Sequence, residues 1–261
     1  MHNRISALLP EKQQDLEMAP ASLVRKFELC GILSSCDRDM MTRLLGPPKT
    51  VNRHAVIRRE NDPVTGAYLL VEGWVSSSTL RNDGGVFISH FYLPGDIVGA
   101  SSLAHCSASD TLTALSPTVV APLSKARLGD LFVQSPRLAA VLYLDAMREA
   151  VAFADRMAAV ARSSAESRVA ALLLDLFDRA CTIDAGQADL FDFPLTQQDI
   201  GDALGLTSVH VSRMMRGFID RAWIRRSARA FIVKDAAALR ALAGIPRRLV
   251  DTGGDWLPAT R

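Results

Sequence analysis

The segment 195–222, LTQQDIGDALGLTSVHVSRMMRGFIDRA, leaves the chain little local freedom. Thr196 and Asp199 stand three positions apart with the chemistry of a capping box, in which a hydroxyl and a carboxylate satisfy the first free amides of a helix. Ile200, Ala203 and Leu204 give that helix one buried side, and Gly205 allows the left-handed backbone of a tight interhelical turn. Thr207 then caps a second helix. At about 100° per residue, Val211, Met214, Met215, Phe218 and Ala222 gather on one side of this second helix, while Val209, Ser212, Arg213 and Arg216 gather on the other. One side packs and the other stays free. Short hydrogen-bonding residues near a helix start, followed by arginines, suit entry into the major groove of a duplex, because bulky side chains would hold the backbone off the base edges.

The residues that follow extend this pattern. Trp223-Ile224-Arg225 and Phe231-Ile232-Val233 flank Arg226-Ser227-Ala228-Arg229, which reads as a two-stranded wing with a basic tip. Between Thr207 and Leu249, ten Lys and Arg face only Asp220 and Asp235, so this stretch carries +8 in a chain whose net charge is +2. The remainder is mildly acidic at −6. A basic unit joined to an acidic body fits a partner made of phosphates. Gln197 and Gln198 fit phosphate contacts at the N-terminus of the preceding helix, whose free amides favour anions. His210 flanks the reading side.

Upstream, the chain reads as strands and then as helix, an α+β order. The runs 68–75 (YLLVEGWV), 86–93 (VFISHFYL) and 119–123 are aliphatic and aromatic, and turn-forming residues separate them. Strands of this length and spacing predict a compact antiparallel β-barrel or sandwich over roughly 50–124. Before it, a short helix is expected across 23–45, closed by Gly46-Pro47-Pro48. After it, Ala140, Leu144, Met147, Val151, Ala154, Ala158 and Ala161 alternate spacings of four and three, the seam of a helix that pairs with another helix. The early turns of that helix also face the barrel. Ser163 and Glu166 read as the capping box of a further helix, with a hinge near Ser163 and an end before Asp184-Ala185-Gly186.

No apolar run reaches the ~20 residues of a membrane span, and the first ten residues hold too short an apolar stretch for a secretory leader, which places the chain in the cytoplasm with no membrane partner. Cys30, Cys36, Cys106 and Cys181 are too scattered for a disulfide framework.

Taken together, the quoted runs resemble the Crp-Fnr superfamily of bacterial transcription regulators. The likeness spans about residues 27–244. It rests on AYLLVEGWV with Gly73, FYLPGDIVG with Gly95 and Gly99, SRVAALLLDLF, and LTQQDIGDALGLTSVHVSR, in the family's order. The resemblance implies an N-terminal antiparallel β-roll of the cupin-like jelly-roll kind that senses a signal, a long dimerisation helix, and a C-terminal winged helix-turn-helix domain. It divides the chain into an extension (1–22), the roll (23–134), the dimerisation helix (135–163), the DNA-binding domain (164–244) and a tail (245–261). It further implies a homodimer on a near-palindromic site in double-stranded DNA, with RNA polymerase as a further partner. Thr196, Gln197, Gln198, Thr207, Ser208, Val209, His210, Ser212, Arg213, Arg216, Arg226 and Arg229 are the expected DNA-facing residues. Leu144, Met147, Val151, Ala154, Ala158 and Ala161 are the expected dimer seam.

The cofactor stays unknown. Nucleotide-sensing relatives hold the ribose with a Glu and the phosphate with an Arg-Ser pair; here Ala100 and Ala108-Ser109 stand in those places, and no Lys or Arg occurs from Asn82 to Ser124. Phe153 and Ala154 occupy the closing helix where a polar contact would help. The iron-sulfur pattern of other relatives is also absent, since Cys30 and Cys36 give only two N-terminal thiols. His105 beside Cys106 would point to opposite faces of a strand, and His54, His90 and His105 leave a haem ligand open. Best-known members carry a Glu where Val209 stands, so the target site is expected to differ from theirs. Two other classes compete: a metal-dependent enzyme on the roll, for which no His-x-His pair is present, and a ligand-binding adaptor without DNA. The reading is therefore not enzymatic.

Overall fold

The computed structural model describes residues 20–29, 31, 33–183, 190–227, 230–244 and 256–259. Most of the N-terminal extension, most of the tail, Cys30, Arg229, the segment 184–186 and the side chain of Ala161 lie outside the described residues. The single helix expected across 23–45 is two, α1 (Ala21–Glu28) and α2 (Ser35–Leu44). The break has a local cause. Asp37 N–H donates to Ser34 Oγ at 3.1 Å and Ser34 N–H to Asp37 Oδ2 at 3.0 Å, a capping box that starts a new helix.

Eight strands follow: β1 (Lys49–Val51), β2 (Val56–Arg58), β3 (Gly66–Glu72), β4 (Val75–Leu80), β5 (Val86–Tyr92), β6 (Ile97–Val98), β7 (Thr111–Ala114) and β8 (Thr118–Ser124). They form two antiparallel sheets, ordered β1-β8-β3-β6 and β2-β7-β4-β5. Leu70, Val75, Val98, Leu112 and Val120 pack between the sheets. The run 68–75, read from sequence as one strand, crosses from one sheet to the other. Gly73 makes the corner at φ +87°, and a Cβ there would lie 2.5 Å from the Pro117 carbonyl oxygen. Only glycine fits that turn.

Three helices then leave the roll: α3 (Lys125–Gln134), α4 (Pro136–Arg162) and α5 (Ala165–Ile183). Ser135 caps α4 by accepting from Leu138 N–H at 3.2 Å. The cap of α5 falls one residue later than expected: Ser167 N–H donates to Ser164 Oγ at 3.1 Å, and Glu166 is free to pair elsewhere. The C-terminal part comprises β9 (Leu190–Asp192), α6 (Gln197–Leu204), α7 (Ser208–Asp220), β10 (Ile224–Ser227), β11 (Ala230–Val233) and α8 (Ala236–Ala243).

A continuous apolar core joins this part to the roll. Trp74, Phe91, Leu93 and Leu115 of the roll share it with Leu173 and Leu176 of α5 and with Phe193, Leu195, Ile200, Phe218 and Phe231. Trp74 meets Phe193 edge-on with ring centroids 6.2 Å apart, and Phe193 stacks on Phe231 at 4.6 Å. A second core lies beneath the first two helices and α3, where Phe27, Met41, Leu131 and Leu138 are buried.

Asp96, in the turn between β5 and β6, ties the helices to the roll. Its carboxylate takes Lys26 Nζ at 2.8 Å, Arg179 Nη2 at 2.5 Å and the Leu93 amide at 2.8 Å. Burial pushes the Asp96 carboxyl up, but Lys26 and Arg179 outweigh it and hold the group well below its ordinary value of 3.8. Its stabilisation is thus complete above that value and fades as pH falls through the lower folded value. Replacing Asp96 by Asn leaves Lys26 to Asp145 at 3.1 Å and Arg179 to the more distant Asp175 at 3.5 Å, and is expected to cost up to about 3 kcal/mol near neutrality. Denaturant melts at a series of pH values should show that loss, together with a shallower acid limb than the parent's; equal acid limbs would contradict the assignment.

Candidate nucleic-acid interface

The helix-turn-helix is built as its caps dictate. Asp199 N–H donates to Thr196 Oγ1 at 3.1 Å and Thr196 N–H to Asp199 Oδ2 at 2.7 Å, which starts α6. Gly205 closes the helix at φ +66°. His210 N–H donates to Thr207 Oγ1 at 3.3 Å, and the His210 ring Nδ1 lies 3.1 Å from the same oxygen. Val211, Met215 and Phe218 are buried, which fixes the roll of α7 about its axis. The opposite side is open: Val209 is 76% exposed, Arg213 and Arg216 are exposed, and Ser212 is half-buried at the helix edge. Gln198 is exposed and donates to Asp202 Oδ1 at 2.7 Å, while Gln197 and Ser208 are half-buried.

Arg226 and Arg221 differ from the exposed arginines of α7. Arg226 was expected on the DNA side of the wing, but its Nη2 donates to the Leu195 carbonyl at 2.9 Å and its guanidinium lies 5.5 Å from the Phe193 ring centre. Burial lowers its pKa. It anchors the wing to the chain entering α6. Its strand neighbour Arg225 is the exposed one, as the alternation of a strand requires. Sequence reading missed Arg221, whose guanidinium stacks 4.3 Å from the Trp223 ring centre and pairs with Glu166, clamping the end of α7 to the start of α5. It also missed β9, which pairs with β11 as a third strand and is only three residues long.

On α4, the seam positions face outward beyond the first turns. Met147 and Val151 are each 42% exposed, and Ala154 and Ala158 are exposed with them. Tyr143 and Met157 widen the stripe. Leu144 instead packs partly into the core beneath α1, α2 and α3.

Inside the roll the charge inventory differs from the sequence reading. Arg58, from β2, is buried with its guanidinium under Gly99, and its Nη2 donates to Asp110 Oδ1 at 2.8 Å and to Ser102 Oγ at 3.0 Å. Ser77 Oγ donates to the other Asp110 oxygen at 2.5 Å. A cation is therefore present, supplied by β2 upstream of the stretch 82–124, but a buried carboxylate already neutralises it. His105 and Cys106 sit after a short 3-10 turn, not on a strand, and both are exposed. Among the described residues no three His, Cys, Asp or Glu gather as a metal site.

Residues 167–242 match the family model of the Crp-like helix-turn-helix domain, and residues 48–135 match that of the cyclic nucleotide-binding domain. The chain is 30% identical over 201 residues to the nitrogen fixation regulation protein FixK of Azorhizobium caulinodans, covering 76% of this chain and 79% of that one. The chain belongs to the Crp-Fnr family of transcription regulators. It is also 23% identical over 248 residues to the fumarate and nitrate reduction regulatory protein of Yersinia pestis, covering 92% of this chain and 99% of the relative. Among solved structures, FixK2 from Bradyrhizobium japonicum superposes with a TM-score of 0.70 at 26% identity, over 78% of this chain and all of that one. This Crp-Fnr regulator thus has the α+β fold of its family, a β-roll, a long helix and a helix-turn-helix DNA-binding domain, and the enzyme reading falls. Regulators of this family bind DNA and act as dimers. Among the described residues no helix is long and apolar enough to cross a membrane.

The Arg58–Asp110 pair gives a prediction for the roll. A cyclic nucleotide phosphate would have to compete with Asp110 for a guanidinium it already holds. Calorimetry with cyclic AMP is expected to show no saturable heat at micromolar nucleotide, and a micromolar Kd would contradict this reading.

Proposed function

We propose that two copies of this regulator pair along α4 and place their α7 helices in successive major grooves of a near-palindromic duplex. The observation that carries the reading is the division of α7: Val211, Met215 and Phe218 buried, Val209, Arg213 and Arg216 outward. Arg213 grips a guanine edge, Ser212 allows close approach, and Ser208 and His210 flank them. Thr196, Gln197, Gln198 and Thr207 sit at helix starts, where free amides and short polar groups hold phosphates and fix the register. Arg225 and Arg216 add phosphate contacts at the margins. Arg226 acts through the wing it anchors.

The exposed stripe Met147, Val151, Ala154 and Ala158 supports a second copy as the partner on α4, because its small residues let two backbones come close. We place the protein in the cytoplasm with RNA polymerase as its downstream partner, as for a regulator that acts at promoters. The signal and the cofactor are not assigned by these residues.

Selection of bound fragments from random duplexes, with the purified protein, tests the reading. Recovered fragments should share inverted half-sites one helical turn apart, and their affinity should fall steeply as salt rises. Binding without sequence preference, or without salt dependence, would favour the adaptor reading. In the selected site, Arg213→Ala is expected to weaken binding by about 10- to 100-fold.

Val209 makes the half-site itself predictable. An isopropyl group on the reading side accepts no proton and donates none, but it packs against the 5-methyl group of thymine. A thymine is therefore expected at the base facing Val209. Replacing that thymine by uracil should weaken the parent protein and leave Val209→Ser unchanged. Equal losses in both proteins would remove Val209 from the reading side.

A further inference from the structure

The apolar core that joins the roll to the helix-turn-helix is interrupted at the edge strand β5. A cavity of 130 Å³ opens between the edge strand β5, α4, α5 and α6. Its walls are Phe87, Ile88 and Phe91 from the roll, Phe153, Met157 and Val160 from α4, Leu172 from α5, and Ala203 and Leu204 from the first helix of the DNA-binding motif. For comparison, an apolar cavity of about 150 Å³ takes a benzene molecule. The space therefore has the size and lining of a single ring.

One end of the cavity is charged. Arg156, Arg179 and Asp175 line it, with Asp96 behind Arg179 and Glu149 behind His90. The Asp175 carboxylate is held loosely, with one oxygen 3.5 Å from Arg156 Nη1 and 3.5 Å from Arg179 Nη1. Arg179 is committed elsewhere, gripping Asp96 at 2.5 Å. Arg156 is less occupied: its Nη2 lies 3.1 Å from His90 Nδ1, its Nη1 3.5 Å from the loosely held Asp175, and its guanidinium carbon 6.0 Å from the Phe153 ring centre. The other ring nitrogen, Nε2, lies 3.3 Å from Arg179 Nη2 and 3.6 Å from Glu149 Oε2, so the imidazole stands between the two guanidiniums. Burial first, then Arg179 and Arg156, hold His90 well below its ordinary pKa, so the ring is neutral.

We propose that this cavity is a ligand site for a small aromatic monocarboxylate, with the ring among Phe87, Phe91, Phe153 and Leu204 and the carboxylate on Arg156. The ring fills a space that protein atoms leave open, and the carboxylate gives Arg156 the bidentate partner that Asp175 does not supply. Such a ligand touches the roll, the long helix and α6 at once. It therefore stabilises this placement of the helix-turn-helix against the roll, by as much as its affinity for this arrangement exceeds that for any other. The Arg58–Asp110 pair fills a different place, between the sheets, so the two sites do not compete.

Benzoate is the probe, with benzyl alcohol supplying the ring without charge and acetate the charge without a ring. Equilibrium dialysis of the full chain, without DNA, should show one saturable benzoate site per chain, weaker binding of benzyl alcohol and none of acetate. Arg156→Gln should weaken benzoate at least tenfold and leave benzyl alcohol unchanged. Ala203→Leu, which fills the cavity without touching a charge, should remove both ligands while circular dichroism reports a cooperative melt. No saturable benzoate binding to the parent, or unchanged benzoate affinity in either folded variant, would overturn the site. Because the readout contains no DNA, that failure would leave the placement of α7 in the groove untouched.

Discussion

The arrangement of the molecule depends on burial shared between the roll and the DNA-binding part. Trp74 and Leu115 reach out of the sheets to Phe193, which itself stacks on Phe231 of the winged sheet. Ring contacts of this kind resist sliding, since large side chains interlock at interior density. The hinge at Ser163-Ser164 is therefore not free: α6 and α7 take their direction from the roll as well as from α5. Any signal that re-aims α7 has to act on this shared core.

Charge is arranged in two different ways around that core. Inside, cations and carboxylates neutralise one another at short range, as Arg58 does with Asp110 and as Lys26 and Arg179 do with Asp96. Such pairs fix geometry; their net contribution is small beside the cost of breaking them. On α7, by contrast, Arg213 and Arg216 are exposed. Exposed arginines on a helix whose other side is locked give a field of fixed direction, which is what a phosphate backbone and a guanine edge require. The acidic balance of the remaining chain keeps that field local.

Much of this was legible in the sequence because it is local. The caps at Thr196 and Thr207 and the turn at Gly205 depend on neighbours within a few residues, and the structure contains each of them. The sides of α7 follow from helical period alone. What failed to show was set by distant partners. Arg226 looked free because nothing near it in sequence is acidic, yet the Leu195 carbonyl and the Phe193 ring claim it. Arg58 escaped notice because β2 lies far along the chain from β7, although the two strands pair. The cavity at β5 draws its walls from four elements and has no linear signature. Gly73 was visible as a glycine, but its role as a corner between sheets needs the Pro117 carbonyl, which only the fold brings near.

The central claim is geometric: two copies hold their α7 helices rigidly, one turn of duplex apart. Hydroxyl-radical footprinting of the protein on its selected site reads that spacing directly. Two protected patches on one face of the DNA, centred about 10 base pairs apart on each strand, are expected from helices in successive major grooves. One continuous patch, or two separated by a half-integral number of turns, would contradict it.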